Sequence, residues 1–193
     1  MIDTKKFRKA NKKEIAIIIN SILKISPKIQ SILNKINYKF YIALNNKITK
    51  NNYPSIFLIP FSLIKKLVNF QQEIKVISAG LYLGFIKRGK FYLSLEGAEF
   101  LLNMSCFSTN HKLFVNKNGE KSILYGNRIL KRMITKIPAE LKKNSFLLVF
   151  NLENELIALA ISKVDYNGFQ KLNPNDLVAL NLTDKGYYLR EKQ

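Results

Sequence analysis

The chain has few residues of the kinds on which catalysis and metal binding usually depend. Its 193 residues include one cysteine, Cys106, one histidine, His111, and no tryptophan. A single cysteine excludes a disulfide within the chain and is typical of a reducing compartment. A Cys–His nucleophile pair would need a third, orienting group, and a metal cluster would have to be built from carboxylates. We therefore expect no catalytic residue, no bound metal and no cofactor.

Long apolar runs are also absent. The longest isoleucine-rich stretch, 15–25, is interrupted by Asn20, Ser21 and Lys24 and is too short to cross a bilayer. The N-terminus, Met-Ile-Asp-Thr, lacks the pattern of a signal peptide. We expect a cytoplasmic protein without a membrane partner.

Acidic residues are scarce as well. There are 13 of them against 32 lysines and arginines, which gives a net charge of +19. This excess favours a polyanionic partner, either a nucleic acid or an anionic membrane surface. The cations comprise 27 lysines and only 5 arginines, beside 24 isoleucines and 21 asparagines, and an A/T-rich coding sequence would also produce that pattern. Such a bias explains lysine over arginine but not the shortage of acids, so we favour a nucleic acid.

The residues that are present predict two domains. The polar stretch 105–111 has no periodicity, and we place the boundary there, with domains at 1–108 and 109–193. The first carries 18 cations and 5 acids, a net charge of +13, and the second 14 and 8, a net charge of +6. Both domains are therefore basic.

Periodicity predicts an α+β first domain, with an antiparallel sheet and helices. Asn11 and Glu14 form a capping-box pattern before the first helix. The other predicted helices are Lys28–Ile36, Pro60–Phe70 and Glu96–Met104, and the predicted strands are Lys39–Leu44, Lys47–Lys50, Ser55–Ile59, Ile74–Ser78, Leu81–Ile86 and Phe91–Leu95.

Short strands at regular spacing predict a small barrel in the second domain. The predicted strands are Lys112–Asn116, Phe146–Asn151, Leu156–Ser162, Asp176–Leu182 and Tyr187–Arg190, with turns at Asn118–Gly119 and Asn167–Gly168.

Two features of the first domain leave alternatives open. The spacing Gly80-x-x-x-Gly84 lacks the following helix of a phosphate-binding loop, so we interpret it as packing or a bulge. The predicted hairpin turn Lys87–Lys90 is either a solvated tip or a phosphate contact. Aromatic residues near it would be able to stack on bases, although alternating aromatics in strands usually belong to a core; they are Tyr82, Phe85, Phe91 and Tyr92.

The stretch Lys121–Arg132 combines a glycine with a cluster of cations. Gly126 follows a short apolar helix start and precedes Arg128, Lys131 and Arg132. A glycine there accepts a positive φ and ends a helical turn at little steric cost. An ordinary helix end with a solvated basic face is the alternative interpretation.

Three motifs carry a resemblance to a known family. They are S-x-L-Y-G-N-x-x-L-K at Ser122–Lys131, D-x-G-x-Y-x-R at Asp184–Arg190 and S-x-G-x-x-x-G-F at Ser78–Phe85. In this order they resemble the Nip-seven family of large-ribosomal-subunit assembly factors, in an archaeal-type form, over roughly residues 10–190. The second domain is similar to a PUA domain, an RNA-binding β pseudo-barrel. Met133, Ala158 and Ala160 depart from the family pattern, which commonly has glycine there.

The resemblance implies the function and the binding surface. It implies a non-catalytic RNA-binding factor in large-subunit assembly and pre-rRNA processing, which binds structured or U-rich RNA. Other assembly proteins would dock on the first domain of a monomer. We expect the RNA-binding residues to be Gly126, Asn127, Arg128, Lys131, Arg132, Lys136, Lys163, Lys171 and Arg190.

The resemblance also implies that the helix stops at Gly126 and that the chain continues extended. In a strand, the even spacing of Arg128 and Arg132 puts both on one face. A PUA-containing enzyme that modifies tRNA or rRNA and a translation-initiation-type adaptor are the alternative functions.

Overall fold

The structure, a computed structural model, describes residues 7–44, 53–74 and 76–190. Its contacts divide the chain into two compact units, 1–106 and 107–193.

In its described residues, unit 1 has an antiparallel five-stranded sheet and four helices. The strands are β1 (Phe7–Lys9), β2 (Tyr38–Ala43), β3 (Ser55–Pro60), β4 (Leu81–Lys87) and β5 (Lys90–Leu93), in that spatial order. The helices are α1 (Lys12–Ile25), α2 (Pro27–Lys35), α3 (Phe61–Glu73) and α4 (Leu95–Asn103). The α+β architecture predicted from periodicity is confirmed.

A capping box fixes the start of α1. The Asn11 side chain accepts from the Glu14 N–H at 2.9 Å, and the Glu14 carboxylate accepts from the Asn11 N–H at 2.7 Å. Arg8 adds two hydrogen bonds to the same carboxylate, at 2.7 and 2.9 Å. From this start α1 presents Ile18 and Ile22 to the core, where both are fully buried.

Gly84 brings β4 and β5 close together. Its φ is +150°, and a Cβ there would collide with the Tyr92 carbonyl. The β3–β4 register shifts at this point, which is the mark of a bulge. The interpretation of Gly80-x-x-x-Gly84 as packing or a bulge is therefore confirmed.

Unit 2 has a six-stranded, nearly closed sheet in its described residues. Its strands are β6 (Lys112–Val115), β7 (Ile129–Leu130), β8 (Ile134–Lys136), β9 (Phe146–Phe150), β10 (Leu156–Ser162) and β11 (Leu177–Asp184), in the spatial order β7-β11-β10-β9-β6-β8. The helices are α5 (Lys117–Leu124), α6 (Tyr166–Lys171) and α7 (Tyr187–Arg190). The sheet packs around a core that includes Leu113, Ile123, Leu147, Val149 and Ile157.

In unit 2, two predicted turns and one predicted strand are wrong. Asn118–Gly119 and Asn167–Gly168 are not turns but lie in the first turns of α5 and α6, which begin after the N-caps Asn116 and Asp165. The segment Tyr187–Arg190 is helix α7, not a strand.

Residues 76–78 of the predicted strand Ile74–Ser78 are in no strand either. Ile74 caps the C-terminus of α3, and β3 already has β2 and β4 as its two neighbours. The predicted strand Lys47–Lys50 lies outside the described residues.

Candidate nucleic-acid interface

The end of α5 forms a glycine turn. Tyr125 is the C-cap, and Gly126 follows with a φ of +84°. The Gly126 N–H donates to the Ile123 carbonyl at 2.8 Å, and the Asn127 N–H donates to the Ser122 carbonyl at 3.2 Å. These two bonds satisfy carbonyls that a helix end otherwise leaves without donors. The predicted positive φ at Gly126 is therefore present in the structure.

The second sequence motif lies directly beneath this turn. Arg190 binds the buried Asp184 with two hydrogen bonds of 3.0 Å and also donates to the Leu124 carbonyl. A Cβ on Gly126 would stand 3.2 Å from the Arg190 guanidinium, and a Cβ on Gly186 would collide with the Leu124 carbonyl. The hydrogen bonds that Arg190 donates to the Asp184 carboxylate raise the pKa of Arg190. Arg190 thus holds the turn in place from below.

The chain after Gly126 is extended only in part. Strand β7 ends at Leu130, and residues Lys131–Met133 form a 3-10 turn before β8. The prediction that Arg128 and Arg132 share the face of one continuous strand is therefore wrong. Both arginines nevertheless line one open depression, together with Gly126 and Asn127.

Asn116 and Gly119 fix the floor of this depression. The Asn116 side chain donates to the Arg132 carbonyl at 2.9 Å, and the Asn116 N–H donates to the Met133 carbonyl at 2.9 Å. A Cβ on Gly119 would stand 2.8 Å from the Met133 Cβ, so the helix and the 3-10 turn pack too closely for a side chain. Met133, one of the departures from the family pattern, is buried there.

The two arginines present their guanidinium groups to solvent. Both are exposed, and no carboxylate of the described residues lies within 4.0 Å of either. Tyr125, which precedes Gly126 in the chain, is 66% exposed but is not part of the lining. The depression thus has two exposed cations and the Gly126 backbone in its lining, and the adjacent residue of the turn carries an exposed aromatic ring.

The other predicted cations have different surroundings. The Lys131 ammonium donates to the carbonyls of Gln170 and Leu172, at 3.1 and 2.6 Å, and stands 5.3 Å from the Phe169 ring centroid. It therefore binds the C-terminal end of α6.

Lys136, Lys163 and Lys171 lie outside the lining of the depression. Lys136 is exposed at the end of β8, with its ammonium 5.7 Å from the Phe114 ring centroid. Lys163 follows β10 and is half-buried, and Lys171 is the exposed last residue of α6.

Several residues of this site were missed from the sequence. Tyr125 and Ser122 stood in the quoted motif but were not chosen as binding residues. Asn116 looked like the end of a strand and is instead the residue that holds the floor. The one local signal for its role is that asparagine is among the preferred helix N-cap residues, and this does not by itself exclude a turn.

The described residues show neither an exposed thiol nor a group of metal ligands. Cys106 is buried, and burial raises the pKa of its thiol. Within the described residues, no group of three or more histidine, cysteine or carboxylate side chains is placed to hold a metal. No helix of the described segments is long and apolar enough to cross a membrane.

Comparison with known sequences identifies relatives. The UPF0113 PUA domain matches residues 111–193. The 60S ribosome subunit biogenesis protein NIP7 of Saccharomyces cerevisiae is 27% identical over 130 residues, which cover 67% of this chain and 70% of that protein. A UPF0113 protein of Archaeoglobus fulgidus is 29% identical over 121 residues, 63% of this chain and 66% of that one.

The chain is therefore similar to NIP7 and the UPF0113 proteins over about two thirds of its length, and residues 111–193 match the UPF0113 PUA domain. Solved structures agree with the fold. A conserved PUA domain protein from Thermoplasma acidophilum has a TM-score of 0.57 at 14% identity and covers 96% of this chain and 98% of its own. A PUA domain protein from Aeropyrum pernix has a TM-score of 0.60 at 12% identity, covering 96% and 89%. The turn at Gly126 and the depression beside it thus lie within the PUA domain.

Proposed function

We propose that this protein is a non-catalytic RNA-binding factor in large ribosomal subunit assembly and pre-rRNA processing. Its relatives from yeast and Dictyostelium discoideum are named as 60S ribosome subunit biogenesis proteins. Its second unit is a PUA domain, and its net charge is +19. The observation that carries the proposal is the pair Arg128 and Arg132, exposed beside the Gly126 turn without a carboxylate partner among the described residues.

The depression has the parts that a single-stranded RNA needs. Each guanidinium can hold a phosphate with two parallel hydrogen bonds, which an ammonium cannot do. Gly126 itself is exposed and lines the depression, so the RNA backbone can approach the turn there. Tyr125 offers a ring on which a base can stack, and stacking contributes about 1–3 kcal/mol per base. We assign Gly126, Asn127, Arg128 and Arg132 to direct contact.

The other cations of the proposed site act less directly. Lys136, Lys163 and Lys171 add positive potential around the PUA domain, which strengthens binding at low salt. Lys131 and Arg190 already have intramolecular partners, so their role is to hold α6 and the Gly126 turn in position.

The salt dependence of RNA binding tests the arginine site. Each phosphate contact to a single strand adds about 0.7 to the slope of log affinity against log salt. The double variant Arg128→Ala/Arg132→Ala should therefore flatten the slope by about 1.4 on a short U-rich RNA. The control is Lys142→Ala/Lys143→Ala, which removes two exposed cations from the same unit. Equal slopes for the two variants would mean that RNA senses only the total charge.

Sedimentation of the tagged protein tests the cellular role. We expect it to migrate with precursors of the large subunit. Migration with free small RNAs would favour the RNA-modifying enzyme, and migration with small subunits would favour the initiation-type adaptor.

The lack of catalysis is part of the proposal. One histidine, one buried cysteine and no phosphate-loop pattern motivate it. We expect no new modified nucleoside when the protein is incubated with rRNA or tRNA and a methyl donor and the RNA is analysed by mass spectrometry. A new modified base would contradict the hypothesis of a non-catalytic assembly factor.

We further propose that assembly proteins dock on unit 1 and that the monomer works in the cytoplasm. Helix α3 and the residues after it expose a stripe of large apolar side chains, Leu63, Phe70, Ile74 and Ile77, at 46–61% exposure. Lys65 and Lys66 on the same helix favour an apolar partner segment with acidic residues. Binding of such a segment should weaken when Phe70 is changed to Ser, while the RNA affinity stays constant.

A further inference from the structure

Unit 1 carries three aromatic rings stacked in a row. The Tyr53 and Phe85 ring centroids are 5.9 Å apart with planes at 18°, and those of Phe85 and Tyr92 are 5.3 Å apart at 10°. Tyr92 stands on the edge strand β5 and is 40% exposed. A row of near-parallel rings with an exposed end member offers a flat surface to a further ring.

The hairpin next to these rings is a cluster of cations. Lys87 and Lys90 are paired across β4 and β5, and Arg88 stands between them at the tip. No carboxylate of the described residues lies within 4.0 Å of these three. The Lys87 ammonium lies 4.7 Å from the Tyr53 ring centroid, so cations and rings share one surface.

The pleat of the hairpin separates this surface from the core. Phe91 and Leu93 point to one face of β5 and are 5% and 7% exposed. Lys90 and Tyr92 point to the other face, with their partners Lys87 and Phe85. Tyr92 thus extends away from the core residues of its own strand.

The hairpin tip places Arg88 in a backbone conformation that arginine rarely adopts. Arg88 has a φ of +49° and Gly89 one of +70°, as in a two-residue hairpin turn in which asparagine and glycine are preferred. An arginine in this left-handed region is uncommon and strained. An asparagine or a glycine would adopt this backbone conformation with less strain than the arginine does.

We propose that this surface, Tyr53, Phe85 and Tyr92 with Lys87, Arg88 and Lys90, is a second binding site for single-stranded RNA, separate from the PUA domain. A base stacks on Tyr92, and the hairpin cations hold the adjacent phosphates. This combination of stacking rings and a positive rim is the general way in which proteins bind single strands without sequence readout. The site does not depend on the arginine site of the PUA domain.

Tyr92 variants in the full chain test the stacking. With a labelled U12 RNA, Tyr92→Ala should weaken binding about fivefold or more, whereas Tyr92→Phe keeps the ring and should stay within about twofold of the wild type. Unchanged affinity in Tyr92→Ala, or an equal loss in both variants, would overturn the proposal.

The variant Arg88→Asn distinguishes an effect on RNA binding from an effect on stability. The variant relieves the backbone strain at the tip, so its melting temperature should rise by about 2–4 °C. Its RNA affinity should fall, and the salt slope should flatten by about 0.7. The control Lys66→Gln removes an exposed cation from α3 of the same unit. A slope change in Arg88→Asn no larger than in Lys66→Gln would overturn the phosphate contact.

Photocrosslinking distinguishes this proposal from that for the PUA domain. U12 with 4-thiouridine should crosslink the wild-type chain at the peptide that contains Tyr92, and the crosslink should persist in Arg128→Ala/Arg132→Ala. Crosslinks confined to residues 107–193 would overturn the second site. If Arg128→Ala/Arg132→Ala binds like the wild type while the Tyr92 crosslink forms, the PUA proposal fails and the second site stands.

Discussion

Gly126 shows how one backbone angle shapes the candidate interface. With a φ of +84° it turns the chain back over the end of α5, and the Arg190 guanidinium fills the space below it. A side chain at this position therefore meets two penalties, the strain of the left-handed region and crowding against Arg190.

We predict that Gly126→Val destabilises the protein more than Asn127→Ala does. A β-branched residue at this φ costs about 1–3 kcal/mol. Asn127→Ala removes only a 3.2 Å hydrogen bond to the Ser122 hydroxyl on an exposed side chain. Denaturant midpoints of both variants check this, and a Gly126→Val midpoint equal to that of the wild type would contradict the turn.

A Lys131 variant tests whether this cation stabilises the fold or binds RNA. We predict that Lys131→Met lowers stability by about 1 kcal/mol, because the ammonium no longer binds the two carbonyls at the end of α6. The salt slope of RNA binding should change less than in Arg128→Ala. The matched variant Lys143→Met, on an exposed lysine, should leave stability unchanged. A stable Lys131→Met protein with a flattened slope would assign Lys131 to the RNA instead.

At the scale of elements, caps explain both the correct and the wrong predictions. The Asn11–Glu14 capping box marks the start of α1 in sequence and structure alike. The same chemistry starts α5 and α6, where Asn116 and Asp165 accept from the N–H of Gly119 and Gly168. There it was overlooked, because Asn118–Gly119 and Asn167–Gly168 also fit the dipeptide preference of hairpin turns. Local sequence cannot separate the two cases, and tertiary packing decides, as at Gly119 against Met133.

The sequence predicted some of the residues that line the depression but not their geometry. The stretch Lys121–Arg132 contains the turn and both arginines of the depression. The 3-10 turn at Lys131–Met133 depends on contacts with distant residues, since the N–H groups of Lys131 and Arg132 donate to the carbonyls of Asp176 and Pro174. No pattern within residues 121–136 encodes those partners. The intramolecular contacts of Lys131 and Arg190 were likewise not predictable from the Gly126 motif. Lys131 binds the carbonyls of Gln170 and Leu172, and Arg190 binds Asp184.

The start of α1 gives a pH-dependent prediction. The hydrogen bond from Arg8 lowers the pKa of Glu14 below its usual value of 4.5. A carboxyl group with a lowered folded pKa stabilises the fold above its unfolded pKa and loses this effect as the pH falls through the folded pKa. We predict that Glu14→Gln is less stable than the wild type at neutral pH by about 1 kcal/mol.

The stability difference between Glu14→Gln and the wild type should shrink below a pH of about 4.5 as the wild-type carboxyl becomes protonated. Chemical denaturation from pH 3 to pH 7 measures it. Glu153→Gln, on an exposed glutamate of unit 2, is the control. A difference that stays constant over this range would show that the ionised carboxylate does not contribute.

At the scale of the whole molecule, positive charge is spread over both units. Residues 1–106 carry a net charge of +13 and residues 107–193 one of +6, so the unit without the PUA domain is the more basic one. Long-range attraction to RNA follows total charge, whereas contacts at a site follow position. The proposed second RNA-binding surface on unit 1 is consistent with this charge distribution, which the proposed site on the PUA domain does not explain.

The fragment 107–193 provides the sharpest test of this division. Its core, from Leu113 to Ala179, consists entirely of its own residues. We predict that the fragment folds by itself with a cooperative melting transition. It should also bind U12 more weakly than the full chain at the same salt concentration, because it lacks the +13 unit and the Tyr92 surface.

The affinity of a full-chain variant for U12 then shows which part of unit 1 contributes to RNA binding. If the full chain carrying Tyr92→Ala and Arg88→Asn falls most of the way to the fragment's affinity, the hairpin surface accounts for the difference. If that variant stays near the wild type while the fragment binds weakly, diffuse charge on unit 1 is responsible. An unfolded fragment would contradict the independence of the units, and a fragment that binds as tightly as the full chain would remove any role of unit 1 in RNA binding.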